Sequence, residues 1–258
     1  MTGLPYSIAG FAVGAIVGLT GVGGGSLMTP ILVLFFGVPA ATAVGTDLLF
    51  AGITKSAGAL SHGLKRNVDW KLAALLAAGS LPGAALALGA LASFPASSRA
   101  AAGIVSAALG VMLLLTALSL AFRSQLMAWA RSSSRDTSAA HRTAATIATG
   151  AFIGAAVTLS SVGAGAVGVA ALLFLYPALA SVRIVGTDIA HAIPLTLIAG
   201  AGHAWLGHVD APMLASLVAG SIPGILAGSW LATRTPEPVV RHSLAVMLVI
   251  AGGKLVIR

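Results

Sequence analysis

Apolar residues run along the chain in ten segments, near 5–20, 23–37, 40–62, 72–92, 100–122, 143–160, 163–178, 184–207, 212–232 and 241–257. Three in each half, 40–62, 72–92 and 100–122, then 184–207, 212–232 and 241–257, are read as crossings of a hydrocarbon core ~30 Å thick, at a rise of ~1.5 Å per residue. The first two hold only 16 and 15 residues, which reach about 24 Å at the same rise. Nothing alternates with period two over strand-length windows, which argues against a β-barrel. The pattern therefore predicts an all-α polytopic membrane protein. The most polar stretch, "RSQLMAWARSSSRDTSAAHR" (123–142), is basic and rich in serine. We read it as a linker between two membrane repeats, 1–122 and 143–258.

Composition narrows the choice. The chain is 58% hydrophobic and 8% charged, with a mean hydropathy of +1.02. A soluble domain carries about 25% charged residues, so a soluble protein of this composition could not cover its surface. The net charge of +8 is spread over loops. It reads as control of topology, not as a nucleic-acid footprint. There is no cysteine, which removes disulfides and thiolate metal sites. No His/Asp/Glu group has a metal-ligand spacing, so neither a metal nor a cofactor is expected. Abundant Ala and Gly suit helices packed through small side chains. Membrane lipid is the implied surrounding, and a homo-oligomer is left open.

The two halves resemble each other. Gly45-Thr46-Asp47 recurs as Gly186-Thr187-Asp188, His62 as His203, and Val68-Asp69 as Val209-Asp210, all at one shift. Gly79-Ser80 and Pro82-Gly83 recur as Gly220-Ser221 and Pro223-Gly224. Agreement of two rare Asp pairs and a His pair at a single shift points to an internal duplication. A hairpin of two short helices followed by three crossings makes an odd count, so the second half enters from the opposite face. The basic residues favour this inverted arrangement. With 123–142 cytoplasmic, "HGLKRNVDWK" (62–71) is also inside, and its mate "HAWLGHVDAP" (203–212), which has no Lys or Arg, is outside. The rival reading makes 5–37 a single broken span and the repeats parallel, which places Arg183, Arg234 and Arg241 outside. Whether the hairpin re-enters or spans stays open.

One stretch needs its own explanation. "GLTGVGGGSLMTP" (18–30) clusters Gly21, Gly23, Gly24 and Gly25 inside an apolar region, and "SSVGAG" (160–165) repeats it in weaker form. Backbone that leaves helix geometry within lipid survives only when buried in protein or lining a cavity. The free N–H groups and positive dipole end of a broken helix form an anion site without needing charged side chains. Paired broken helices from inverted repeats do this in transporters. The candidate substrate-binding residues are Gly23, Gly24, Gly25, Ser26, Thr46, Lys55, Ser161, Gly163, Gly165 and Thr187. The alternative is that these glycines only let helices pack closely.

Asp47 and Asp188 lie within apolar segments, where a charge costs at least ~2.5–3.5 kcal/mol on insertion scales. They and His191, three residues beyond Asp188, are candidates for proton or substrate coupling. The plainer reading is that Thr46 and Thr187 cap restarted helices, with the Asp in the first turn. Lys55 either serves an anion or snorkels to the interface. His62 and His203, near segment ends, are expected at the interface. Pro30, Pro82, Pro194 and Pro223 are candidate hinges.

The stretches "GLTGVGGGSLMTPIL", "AVGTDLL", "SVGAGAVGVAALLFLYP" and "RIVGTDIAHAIPLTL" resemble the sulfite exporter TauE/SafE family over nearly the whole chain. The second copy departs from the pattern, with Gly163-Ala164-Gly165 in place of a fuller glycine run and its proline late, at Pro177. The resemblance implies a secondary transporter that exports a small sulfur-containing anion, sulfite or an organosulfonate, across the bacterial inner membrane. An anion channel or an importer of the same fold remains an alternative, as does a non-transporting scaffold. An enzyme is not expected. The Gly-x-Ser-x-Gly and His-Glu-x-x-His patterns are missing, and the single glutamate, Glu237, reads as a loop residue.

Overall fold

The computed structural model describes residues 3–20, 27–61, 67–95, 98–132, 138–232 and 237–256. Those residues form eleven helices and no strands. In the first half these are α1 (Gly3–Thr20), α2 (Met28–Leu34), α3 (Ala40–Ser61), α4 (Trp70–Ala92) and α5 (Arg99–Ala121). Between the halves lies α6 (Arg123–Ser132). The second half holds α7 (Ala139–Ser160), α8 (Ala166–Leu175), α9 (Ser181–Trp205), α10 (Ala211–Ala232) and α11 (Glu237–Val256). Five of them, α4, α5, α7, α9 and α10, are long and apolar enough to cross a membrane.

Local chemistry explains several boundaries. The Val-Asp pairs that repeat in sequence are helix starts. Asp69 accepts the N–H of Leu72 (3.1 Å) to open α4, and Asp210 accepts that of Met213 (2.9 Å) to open α10. Ser98 and Ser138 cap α5 and α7 in the same way. The 123–142 stretch opens with a helix, α6, ten residues long. One expectation needs correction: the hairpin arms are unequal. α1 and α7 have 18 and 22 residues, whereas α2 and α8 have 7 and 10.

Small residues set the tightest helix pairs. On α1, Gly10, Gly14 and Gly18 lie against the backbone of α10 at Leu217, Ser221 and Ile225. On α10, Gly220, Gly224 and Gly228 lie against α1 at Ser7, Phe11 and Ala15. A Cβ at any of these six would overlap a backbone carbonyl oxygen. The α4–α7 pair is built alike, with Gly79 and Gly83 facing Ile147 and Ala151, and Gly150 and Gly154 facing Leu76 and Ser80. Two interleaved small-xxx-small stripes let backbones touch, which is how helices associate where lipid removes the hydrophobic drive. α3 packs on α9 and α5 on α11. Each of these four pairs joins one half to the other, so the halves interlock and are not separate bodies.

The exterior is apolar, with exposed Leu4, Ile8, Leu86, Phe152, Leu226 and Val246, a surface suited to lipid. All four tryptophans, Trp70, Trp129, Trp205 and Trp230, are exposed. Three of them lie at or near the ends of long helices, where indole rings anchor at headgroup level.

Candidate functional site

The break after α7 is real. Ser161 adopts a left-handed conformation (φ 58°), and Gly163 and Gly165 have φ of 122° and 126°. An L side chain at either glycine would be strained. Gly165 is the N-cap of α8 and has no side-chain cap. The whole turn, 160–165, is buried. Its first-half counterpart, with Gly23, Gly24, Gly25 and Ser26, lies outside the described residues, as does His62.

Each Gly-Thr-Asp triplet divides three tasks. Gly45 brings α3 against the carbonyl of His208, and Gly186 brings α9 against that of Asn67. The threonines then hold the approaching loops. Thr46 Oγ1 accepts the N–H of Asp210 (3.1 Å), and Thr187 Oγ1 accepts that of Asp69 (2.9 Å). Thr187 passes its own proton to the Arg183 carbonyl (2.7 Å). Thr46 and Thr187 therefore bind loops of the opposite half and do not join the cluster below. Nor do they cap restarted helices, because α3 and α9 run through both positions unbroken.

The aspartates reach the half-helices. Asp47 accepts the backbone N–H (3.1 Å) and hydroxyl (2.5 Å) of Thr29 in the first turn of α2. Asp188 faces the N–H of Gly165 at the start of α8. A carboxylate thus sits at the positive end of each half-helix, where the dipole favours it. Ser161 Oγ faces the Asp47 carboxylate without closing a hydrogen bond. One oxygen of each aspartate and Ser161 Oγ are buried with no hydrogen-bond partner among the described residues. Asp47 and Asp188 are 0% and 1% exposed.

Lys55 lies where α3 and α9 cross. Gly52 meets Thr196 and Leu197, and Gly200 meets Leu49, so the helices pass in opposite directions beside Lys55 and its repeat mate, Thr196. Lys55 is 6% exposed, so it does not snorkel. Its ammonium acts on Asp188 and more weakly on Asp47, with no ion pair within 4 Å among the described residues. His191 Nε2 lies 2.7 Å from Ser80 Oγ, beside Lys55, with Nδ1 unpartnered among the described residues. The structure thus brings together Lys55, Asp47, Asp188, His191, Ser161 and Gly165, with Gly163 shaping the turn. A narrow cleft of about 30 Å³ is lined by Asp188 and Gly165 together with Leu120 of α5, Leu126 of α6 and Leu173 of α8. It has room for about two waters. Among the described residues no group of His, Asp and Glu could hold a metal ion.

Sequence reasoning missed two members. Thr29 was findable, since Pro30 one residue later belongs in a first helical turn, where it sits. Ser80 was visible only as a repeat match. His203 is a correction. It is fully buried, its Nε2 lies 2.9 Å from the Thr158 carbonyl, and its Nδ1 lies 3.3 Å from His208 Nδ1. The carbonyl fixes the His203 proton on Nε2, so His208 donates between the rings. Partial burial lowers the pKa of His208, in the loop before α10.

Apolar helices around a buried charged cluster at a helix break define a polytopic membrane protein. The sulfite exporter TauE/SafE family matches residues 6–255, and the chain belongs to that family. It is 40% identical over 250 residues to the probable membrane transporter protein YjnA of Bacillus subtilis (strain 168), covering 96% of this chain and 98% of that one. It is 26% identical to the probable membrane transporter protein YdhB of the same organism, over 94% and 95% of the two chains. No solved structure matches.

Proposed function

We propose that the chain is a secondary transporter that exports a small sulfur-containing anion, sulfite or an organosulfonate, across the bacterial inner membrane by alternating access. The observation that carries this reading is the buried cluster at the second break. The amino end of a half-helix lines a cleft together with Asp188, and close by are the buried Ser161 hydroxyl and the buried Lys55 ammonium, the one without a hydrogen-bond partner and the other without an ion pair among the described residues. Such donors suit a tetrahedral or pyramidal oxyanion. The reciprocal helix pairs α1–α10 and α4–α7, and the exchange of loop contacts between the two Gly-Thr-Asp triplets, support two inverted repeats that move against each other. An inside-negative potential favours anion exit by about 2.3 kcal/mol per charge per 100 mV, so the outward direction needs no separate fuel. The test is radiolabelled sulfite flux in liposomes holding the purified chain, with sulfate, taurine and sulfoacetate as competitors. Saturable flux at carrier rates supports the reading. Flux far above carrier turnover makes the protein a channel, and no flux of any sulfur anion removes the proposal.

A further inference from the structure

The cluster poses a problem of charge. Two carboxylates and one ammonium share a buried region, and an anion added to it meets net negative charge in a poorly solvated place. The geometry around Asp188 offers a way out. Its carboxylate lies against the first turn of the ten-residue α8, at Gly168, and shares a cleft with Gly165 at the helix start, the place a bound anion needs. Its Oδ1 is buried and unpartnered, and lies over Gly168, where a Cβ would overlap it. Asp188 and Gly165 also line the same cleft, so a solute that enters it meets this pair.

We propose that Asp188 is a tethered anion that occupies the amino end of α8 in the empty protein, and that the substrate anion displaces it there while Asp188 takes up one proton. This inference rests on the anion-transport reading. The charged groups near Asp188 among the described residues are Lys55 on α3, Asp47 across Lys55, and His191 on its own helix. α5 and α6 bring only Ser119, Leu120 and Leu126 to the cleft, and α8 brings amides and apolar side chains. Once its place at the amides is taken, the carboxylate keeps one distant cation and no hydrogen-bond donor. A buried carboxylate so placed is neutralised by a proton from the cleft water. Lys55 and Ser161 then face the incoming anion. No bond but O–H forms, and with a monovalent anion the exchange leaves the local charge unchanged. With a divalent anion, one negative charge remains for the membrane potential to drive outward.

The test is calorimetric binding to the full chain in nanodiscs. The probes are sulfite and methanesulfonate, the second because it does not itself titrate near neutral pH. Each titration is repeated in two buffers of different ionisation enthalpy, which counts protons taken up. About one proton is expected per anion bound. Affinity is expected to fall about tenfold per pH unit wherever Asp188 is ionised in the empty protein. Asp188→Asn should bind without proton uptake and with pH-independent affinity, while Asp47→Asn should still take up the proton. Binding by the wild-type chain without proton uptake overturns the displacement and leaves anion transport standing. Proton uptake that persists in Asp188→Asn overturns it too. Failure to bind either probe overturns the anion reading and this inference together.

Discussion

At the scale of single residues, the site is built from groups left short of partners. Ser161 holds a left-handed conformation that costs an L-residue about 1–2 kcal/mol, and its buried hydroxyl has no partner among the described residues. Both costs are explained if the hydroxyl is reserved for a ligand. Ser161→Gly should then raise thermal stability by up to about 1 kcal/mol, after the entropic cost of glycine, and slow sulfite flux roughly two- to tenfold, the worth of one hydrogen bond. Ser161→Ala should slow flux equally without stabilising. A Ser161→Gly protein with unchanged flux would remove Ser161 from the site. Lys55→Gln, which leaves both carboxylates without their cation, should lower flux at least about thirtyfold, ~2 kcal/mol. Lys55→Arg should retain a measurable part of it. Equal loss in both variants would mean that shape, not charge, is what Lys55 supplies. The burial of the aspartates and the second glycine turn were legible in the sequence, because a charge or a glycine cluster in an apolar run has few uses, whereas Lys55 read equally as an anion partner or an interface residue. The roles of Thr46 and Thr187 were not. Their hydroxyls bond to loops 118 and 164 residues away, and no local pattern encodes such a contact.

At the scale of elements, glycine spacing decides which helices meet. Ten helices were legible as apolar segments. Their partners were not, since a small-xxx-small stripe names a close-packing face without naming the helix that fills it. Gly154 of α7 sits against the Ser80 carbonyl of α4, and Gly150 one turn earlier sits against Leu76. Gly154→Leu should lower the melting temperature of purified protein through overpacking worth about 1–3 kcal/mol or more. Gly103→Leu on α5, where no atom lies within 4 Å, should leave it unchanged. Equal behaviour of the two would mean that the α4–α7 approach is looser than described. The same comparison separates the two uses of glycine in this chain, because Gly154 lies inside a regular helix whereas Gly163 and Gly165 are required by positive φ. The one element the pattern hid is α6. Ten residues mixing Arg123, Gln125 and Arg131 with Leu126, Met127 and Trp129 read as a polar linker when averaged over a window. They form a helix because one face rests on α8, where Trp129 meets Phe174 edge-on at 4.9 Å.

At the scale of the whole molecule, the question is which loops share a face of the membrane. The Asn67 carbonyl lies against Gly186 of α9, and the His208 carbonyl against Gly45 of α3. Each loop therefore latches onto the Gly-Thr-Asp triplet of the other half. One difference between them bears on orientation. Asp69 also pairs with Arg183 (3.3 Å), and Lys71 follows it, whereas the loop around His208 has no Lys or Arg from 203 to 212. Positive charge gathered on one of two otherwise matched loops is what the positive-inside rule produces when repeats are inverted. The absence of cysteine makes the test direct, since every introduced thiol is the only one. A membrane-impermeant maleimide applied to intact cells should modify His208→Cys and spare Asn67→Cys, and should reach Asn67→Cys once the cytoplasmic face is opened. Labelling of both from the same side would make the repeats parallel. The two half-helices would then enter from one face, and a rocking exchange between them would have no symmetry to work with. Addition of sulfite should change the labelling rate of His208→Cys if loop and tip move together, because His203 links that loop to the Thr158 carbonyl at the end of α7. A rate indifferent to sulfite at saturating flux would leave the loop around His208 a static plug and confine the motion of transport to the cleft beside α6.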